Sequence, residues 1–295
     1  MQPYIISTCS TADRTEEQFR QRDIEYLCFH FSLNGKEYLD DLGKSVPFDQ
    51  FYQRMVDGEM TKTSQPNTEQ YIEFFTPFLE QGKDILHLCL SSGISGANNS
   101  AQVAKDILQE QFPDRKIYII DSLSASAGLG LFADKLADLR DEGYSIDDAA
   151  KWALEHRGEL QHWFFTTDLT FFIRGGRVSK TSGFVGKLLG ICPLLNVNSE
   201  GKLIPRKKIR GKNKVIHETL DTMIANAQDG TDYSGKCYIS NSACYEDARK
   251  LADLIEQTFP KLNGKVEITT IGTTIGSHTG PGTVALFFWG GQREL

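Results

Sequence analysis

The chain reads as an α/β protein of two domains, the first built on a largely parallel sheet covered by helices, with a ligand cleft between the two. Three observations lead there. Apolar runs of strand length alternate with amphipathic helical segments through the first half, the pattern expected where helical crossovers join parallel strands. Near residue 160 the texture changes, and the aromatic run His162–Thr167 opens a second block. A length of 295 residues suits about two domains, expected at 1–160 and 161–295.

Taken in order, Tyr4-Ile5-Ile6 is a strand and Tyr26–Phe31 another, followed by a helix between Pro47 and Val56. Ile85–Leu90 is a near-continuous apolar run ending in Ser91-Ser92-Gly93. Such a run is expected of a strand buried on both faces and feeding a functional loop. Ala101–Gln111 reads as a helix, Lys116–Ile120 as a strand ending at Asp121-Ser122, and a further helix runs through Leu131, Ala133, Leu136, Ala137 and Leu139. In the second block, strands are expected at Lys236–Asn241 and Val266–Ile271, with a helix over Glu246–Gln257. A last strand, Thr283–Trp289, follows the turn His278–Gly282. With no low-complexity linker or internal repeat, the blocks should pack together, and a cleft between them is the default ligand site.

Composition narrows the function. At 40% hydrophobic and 24% charged residues the chain is an ordinary globular protein, not a disordered or disulfide-stapled one. The net charge of −7 argues against wrapping nucleic acid, which needs a basic face. Six cysteines lie far apart with no CxxC pair or Cys/His ligand spacing, so no metal site is expected. The opening MQPYIISTCS shows no secretory signal, and no run reaches the ~20 apolar residues of a membrane span. A cytoplasmic protein with free thiols is the expectation.

Hydroxyl- and glycine-rich segments fall after strands or in loops: Ser7–Thr11, Thr63–Pro66, Ser91–Gly96 and Asp121-Ser122. The carboxyl ends of parallel strands meet at one crevice, where neutral donors can surround an anion; taken singly, each segment reads first as a cap or turn. Ser91–Gly96 is not a Walker loop, since no lysine follows, and GxGxxG and GxSxG are absent. Arg174-Gly175-Gly176-Arg177 offers either a guanidinium fork for an anion or a surface turn. His278, framed by Gly276–Gly282, has a rigid setting that the other five histidines lack; those are assigned structural or solvent roles. The apolar, glycine-rich Gly183–Leu195 is either core or the wall of a narrow tunnel. Seven positive charges and no acid lie between Lys202 and Lys214, leaving −14 on the rest of the chain. This stretch is either a solvated loop or a docking patch for an acidic or phosphate-bearing partner.

The TSQP, SSGISG, Asp121-Ser122, FFIRGGRV and GSHTGPG segments, in this order and spacing, resemble the DegV family of bacterial fatty acid-binding proteins, the FakB-like subunits of fatty acid kinase. The resemblance spans nearly the whole chain. It implies a long-chain fatty acid held between two α/β domains, with Thr63 and Ser95 donating to the carboxylate, the Gly96 amide nearby, and His278, Arg174 and the neighbouring Ser92 completing the network. It further implies no cofactor and no catalysis by this chain: a separate ATP-dependent fatty acid kinase makes the acyl phosphate, which enters phospholipid synthesis. Arg206, Lys207, Lys208 and Arg210 would then dock the kinase, transient contact with a membrane surface stays open, and no nucleic acid is expected. Two departures stand out. Cys9 replaces the acid that usually opens the DSTAD-like segment, and Ala97-Asn98 replace a usual Thr-Tyr. The competing expectations are an acyl-transfer enzyme using Ser95 or Cys9 with His278, and a regulatory module contacting nucleic acid through the basic stretch.

Overall fold

A computed structural model describes residues 4–179 and 190–295. The chain opens with β1 (Tyr4–Cys9), α1 (Glu16–Gln21) and β2 (Ile24–Leu27). It then builds β3 (His30–Leu33), β4 (Lys36–Leu39), α2 (Phe48–Val56) and β5 (Thr61–Ser64). After α3 (Thr68–Glu80) come β6 (Asp84–Cys89), α4 (Ala97–Gln111), β7 (Ile117–Asp121), α5 (Ser126–Asp141) and α6 (Ile146–His156). The first sheet has the order β2-β1-β6-β7, all parallel. A small antiparallel sheet, β4-β3-β5, is inserted between β2 and β6.

The expected single strand at Tyr26–Phe31 is therefore two strands in two sheets. Phe29 is buried at the break, its N–H donating to Ser10 Oγ and its carbonyl accepting from Asp40 N, so its backbone pairs outside either ladder. The apolar run at Ile85–Leu90 forms β6, buried over its full length. Ile85 and Cys89 pack with Tyr71, Phe75 and Ala104 of α3 and α4, while Leu86 and Leu88 join Leu129 and Phe132 of α5 on the other face. The alternation is the period of two that a strand imposes.

The second half contributes β8 (Leu160–Phe165), α7 (Thr170–Arg174), β9 (Ile191–Val197), β10 (Leu203–Arg210), α8 (Lys212–Asn226) and β11 (Tyr238–Asn241). It ends with α9 (Tyr245–Thr258), β12 (Glu267–Thr270), α10 (Thr273–Thr279) and β13 (Val284–Trp289). The mixed sheet runs β10-β9-β8-β13-β11-β12, with β11 and β12 parallel. The basic stretch is thus not a loop. It forms edge strand β10 and the start of α8, and Pro205, a bulge and its lysines blunt that edge against pairing with other chains.

Helix α5 joins the halves. Twelve of its residues are buried, because it packs on β1 and β6 from one side and on β8, β11 and β13 from the other. A helix enclosed on all sides must be apolar or small nearly all round, as SAGLGLFADKLADL is. One continuous core therefore runs from Ile6 and Leu86 through Phe132 to Phe164 and Phe287.

Candidate functional site

In the parallel sheet the strand order reverses between β1 and β6, and the crevice beyond their carboxyl ends is where open α/β sheets place ligands. A cavity of about 320 Å³ lies there, inside the usual span of ligand sites. Strands of the small antiparallel sheet and of the mixed sheet contribute to its walls, together with the segments that follow β6 and β7. Leu90, Ile94, Phe164, Phe172, Ile275 and Phe287 make most of it hydrocarbon, while Thr63, Gln65, Ser95, Arg177 and His278 gather at a polar end. Thr63, Ser95 and Gln65 are half-buried and Ser64 exposed, whereas Phe164, Phe172 and Phe287 are buried, so the polar end faces the surface and the apolar end the core.

The polar groups are held by one another. Thr63 Oγ1 lies 2.8 Å from His278 Nε2. Burial, with a smaller contribution from the Arg177 charge, pushes the His278 imidazole down to about 4, so it is neutral at pH 7. Its Nδ1 is buried without a hydrogen-bond partner. Ser95 Oγ donates to Gln65 Oε1 at 3.2 Å and accepts from Ala97 N at 3.2 Å, which fixes it at the start of α4. Arg177 donates to the Ile94 carbonyl through Nε (3.2 Å) and Nη2 (3.0 Å), and to the Gly175 carbonyl at 2.6 Å. The site offers hydroxyls, a neutral imidazole and one guanidinium to an anion whose remainder is apolar.

Two of the sequence motifs interlock. A Cβ on Gly175 would come within 2.2 Å of His278 Nδ1, so the RGGR glycine makes room for the ring of the HTGPG segment. Gly280 has φ of +66°, and a Cβ there would meet the Phe171 ring at 2.1 Å. Gly280→Ala is therefore expected to lower stability by about 2–4 kcal/mol, measured by urea denaturation. An unchanged midpoint would contradict this packing.

Helix α10, which carries His278, is anchored by carboxylates from the other half. Asp13 accepts from Gly272 N at 2.9 Å, and Asp40 accepts from Thr273 Oγ1 at 2.7 Å and Thr274 N at 3.3 Å. Burial raises the pKa of both acids. The opening loop thus supplies an acidic side chain in Asp13, which also accepts from the Ser126 hydroxyl. Cys9 is wholly buried beside Tyr71 and His87, and burial pushes its thiol up to about 12. Neither Cys9 nor Ser95 is hydrogen-bonded to His278: the histidine's partner is Thr63, and Ser95 is bound to Gln65. The expected acyl-transfer dyad is not assembled.

Of the residues singled out from sequence, the structure brings Thr63, Ser95 and His278 together on the cavity. Gly96 is the exposed residue ahead of α4, beside Gln65. Ser92 lies outside the lining because Asp121 claims it, through Oγ at 2.5 Å and N at 3.0 Å. Arg174 also lies outside: at the end of α7 it is exposed, stacked over Phe171 and donating to Met60 Sδ at 3.5 Å. Three residues on, Arg177 turns inward in its place. Arg206, Lys207, Lys208 and Arg210 are exposed on β10, but Arg206 is bound to Asn196 and the Leu295 carbonyl and Lys207 to Glu218. Residues 183–189 of the glycine-rich stretch lie outside the described residues. Leu194 and Leu195, farther along it, are core, and it is Val197 and Leu203 that reach the cavity. Sequence reasoning missed Gln65, Arg177 and Phe164, although RGGR and TSQP contain the first two.

Among the described residues no helix is long and apolar enough to cross a membrane, and no group of three or more His, Cys, Asp or Glu is placed to hold a metal ion.

Residues 5–290 match the family model described as "Uncharacterised protein, DegV family". A DegV domain-containing protein of Clostridium perfringens is 36% identical over 297 residues, covering all of both chains. Among solved structures, a DegV lipid binding protein from Thermotoga maritima superposes with a TM-score of 0.85 at 26% identity, over 99% of this chain and 100% of that one. The Streptococcus pneumoniae Fatty Acid Kinase (Fak) B3 protein, loaded with linoleic acid, gives 0.84 at 24% identity, over 98% and 100%. Fold, motif order and full-length match agree: the chain belongs to the DegV family.

Proposed function

We propose that this protein binds a long-chain fatty acid in the cavity between its two halves, divided near residue 160, and presents the carboxylate to a separate ATP-dependent fatty acid kinase for acyl phosphate formation. One observation carries the reading: a hydrocarbon slot rooted in the core ends, toward the surface, in Thr63, Ser95 and a neutral His278. Burying a methylene contributes about 0.8 kcal/mol, so a tail of ~14 supplies roughly 11 kcal/mol before the cost of association. The tail supplies affinity. A carboxylate leaving water must be hydrogen-bonded or protonated, and hydroxyl donors with Arg177 nearby meet that demand. The head sets orientation, with its oxygens at the mouth where a partner can reach them. Ser92, Gly96 and Arg174, exposed and outside the lining, are in this reading surface that the kinase covers.

Strand β10 leaves the cavity wall at Leu203, and Arg206, Lys207, Lys208 and Arg210 follow within about 25 Å along it. This row is the proposed kinase contact. Neutralising Lys207, Lys208 and Arg210 to Gln is expected to weaken the kinase reaction about tenfold, most at low salt, while lipid content stays unchanged. No effect at any ionic strength would make the row only edge protection.

The reading is tested by mixing lipid-loaded protein, ATP and a fatty acid kinase and trapping acyl phosphate with hydroxylamine. Product is expected only when both proteins are present. Turnover by this chain alone, with an acyl group covalently attached to Ser95 or Cys9, would replace the carrier by an enzyme.

A further inference from the structure

Gln65, on the loop after β5, joins a hydroxyl that lines the cavity to one that does not. Ser95 Oγ donates to its Oε1 at 3.2 Å, and its Nε2 donates to Ser100 Oγ at 3.2 Å. Gln65 and Ser95 are lining residues, whereas Ser100 lies one turn into α4. A hydroxyl has one hydrogen to give and two lone pairs to offer. Ser95 Oγ accepts from Ala97 N at 3.2 Å, so its hydrogen is spent on Gln65 and one lone pair is idle. Ser100 Oγ is in the opposite condition: among the described residues it accepts from Gln65 and donates to none.

That direction is the wrong one for an anion. A carboxylate only accepts, so Ser95 must turn its hydrogen to the ligand, and Gln65 Oε1 would then lie 3.2 Å from an oxygen with no hydrogen between them. Rotating the Gln65 amide by half a turn removes the conflict. Its Nε2–H then donates to the idle lone pair of Ser95, and its Oε1 accepts the hydrogen that Ser100 does not use. The oxygen and nitrogen of a primary amide are nearly alike in size, so the two exchange places with no movement of the backbone. A Cβ on Gly96 would lie 3.0 Å from Oε1 and 3.1 Å from Nε2, and its absence leaves the amide room to turn. Both partners are hydroxyls, which donate or accept equally well; a carbonyl at either end would fix the direction.

Resting on the fatty acid reading above, we propose that Gln65 is a positioning residue that reverses the Ser100–Gln65–Ser95 hydrogen-bond chain when a fatty acid carboxylate enters. The reversal moves the spare hydrogen from Ser100 to Ser95, where the ligand is. Ser95 ends fully engaged, accepting from Ala97 N and Gln65 Nε2 and donating to the carboxylate. Glutamate at position 65 has the same shape but, when ionised, only accepts, so it keeps the Ser95 hydrogen and the chain cannot reverse.

The test uses full-length protein stripped of lipid, with hexadecanoic acid as the ligand. In the unaltered protein, the nuclear Overhauser contacts of the Gln65 side-chain amide hydrogens are expected to pass from the β-hydrogens of Ser100 in the empty state to those of Ser95 in the loaded state. This readout decides the matter even if a variant does not fold. Gln65→Glu is expected to weaken binding by about tenfold or more near pH 8, and the deficit should shrink as pH falls toward about 5 and the new carboxyl gains a proton to donate. In a Ser95→Ala background the same substitution should cost less than about threefold, because the effect travels through the Ser95 hydroxyl. Amide hydrogens that stay on Ser100 with the acid bound overturn the proposal and leave the fatty acid reading standing. So does a Gln65→Glu deficit as large without the Ser95 hydroxyl as with it, which is plain repulsion between two carboxylates. Failure of the unaltered protein to bind the acid overturns both.

Discussion

A Thr63→Ala, Ser95→Ala double variant is expected to lose kinase-dependent turnover of bound fatty acid by about a hundredfold or more. Both hydroxyls line the polar end of the cavity; in the proposed reading each turns from its present partner to donate to the carboxylate, and a hydrogen bond to a charged group contributes about 1.5–3 kcal/mol, so two together exceed two factors of ten. Both also hold neighbours in place. Thr63 orients His278 at 2.8 Å, and Ser95 links Gln65 to the first amide of α4. Thr63→Ser keeps a hydroxyl and should restore most of the activity if the hydroxyl is what matters. The core is untouched, so the variant should unfold at nearly the wild-type urea concentration. Unchanged turnover in the double variant would remove both residues from the site.

The second large effect is acid destabilisation. Three imidazoles are held neutral: the buried His87, pushed by burial from its ordinary 6.5 to about 3, the buried His162, well below the usual range, and the partly buried His278 at about 4. Between pH 6.5 and pH 4 the unfolded chain takes up protons at these positions that the folded chain does not. Stability supported by the neutral rings is therefore present above pH 6.5 and lost as pH falls, by roughly 3 kcal/mol at pH 4 from His87 alone. Asp13 and Asp40 act in the opposite sense. Their raised pKa values mean that the folded chain holds those protons more tightly, so they take stability away as pH rises above the ordinary carboxyl value of 3.8. The histidine contribution is isolated by comparing wild type with His87→Gln in urea at a series of pH values. Wild type should lose stability more steeply between pH 6.5 and pH 4, and parallel curves would contradict the buried neutral ring.

How much of this could be read beforehand depended on the residues. Ile85–Leu90 announced a strand covered on both faces, and β6 is that strand. His278 stood out through its glycine and proline frame, and in the structure the ring lies against Gly175 while Gly280 of the frame lies against Phe171. Other parts gave no signal. Strands β4 and β5, KEYL and TKTS, are four residues long and largely polar because they cover the site from outside. Helix α10, TTIGSHT, is short, β-branched and glycine-containing, a poor helix former by propensity. It is held instead by Asp13, Asp40 and the Tyr52 hydroxyl on the Ile271 carbonyl, contacts more than 200 residues apart in the chain. The two arginines of RGGR were indistinguishable in sequence, since only the end of α7 decides that Arg174 points out and Arg177 in. Charge alone suggested a loop at Lys202–Lys214, where the ladder with β9 makes an edge strand.

The central claim is that the slot between the halves is filled by an acyl chain. Protein purified from a bacterial host, extracted into organic solvent and examined by mass spectrometry, should yield a long-chain fatty acid at about one per chain. Preparations that are repeatedly empty and take up no added fatty acid would contradict the account.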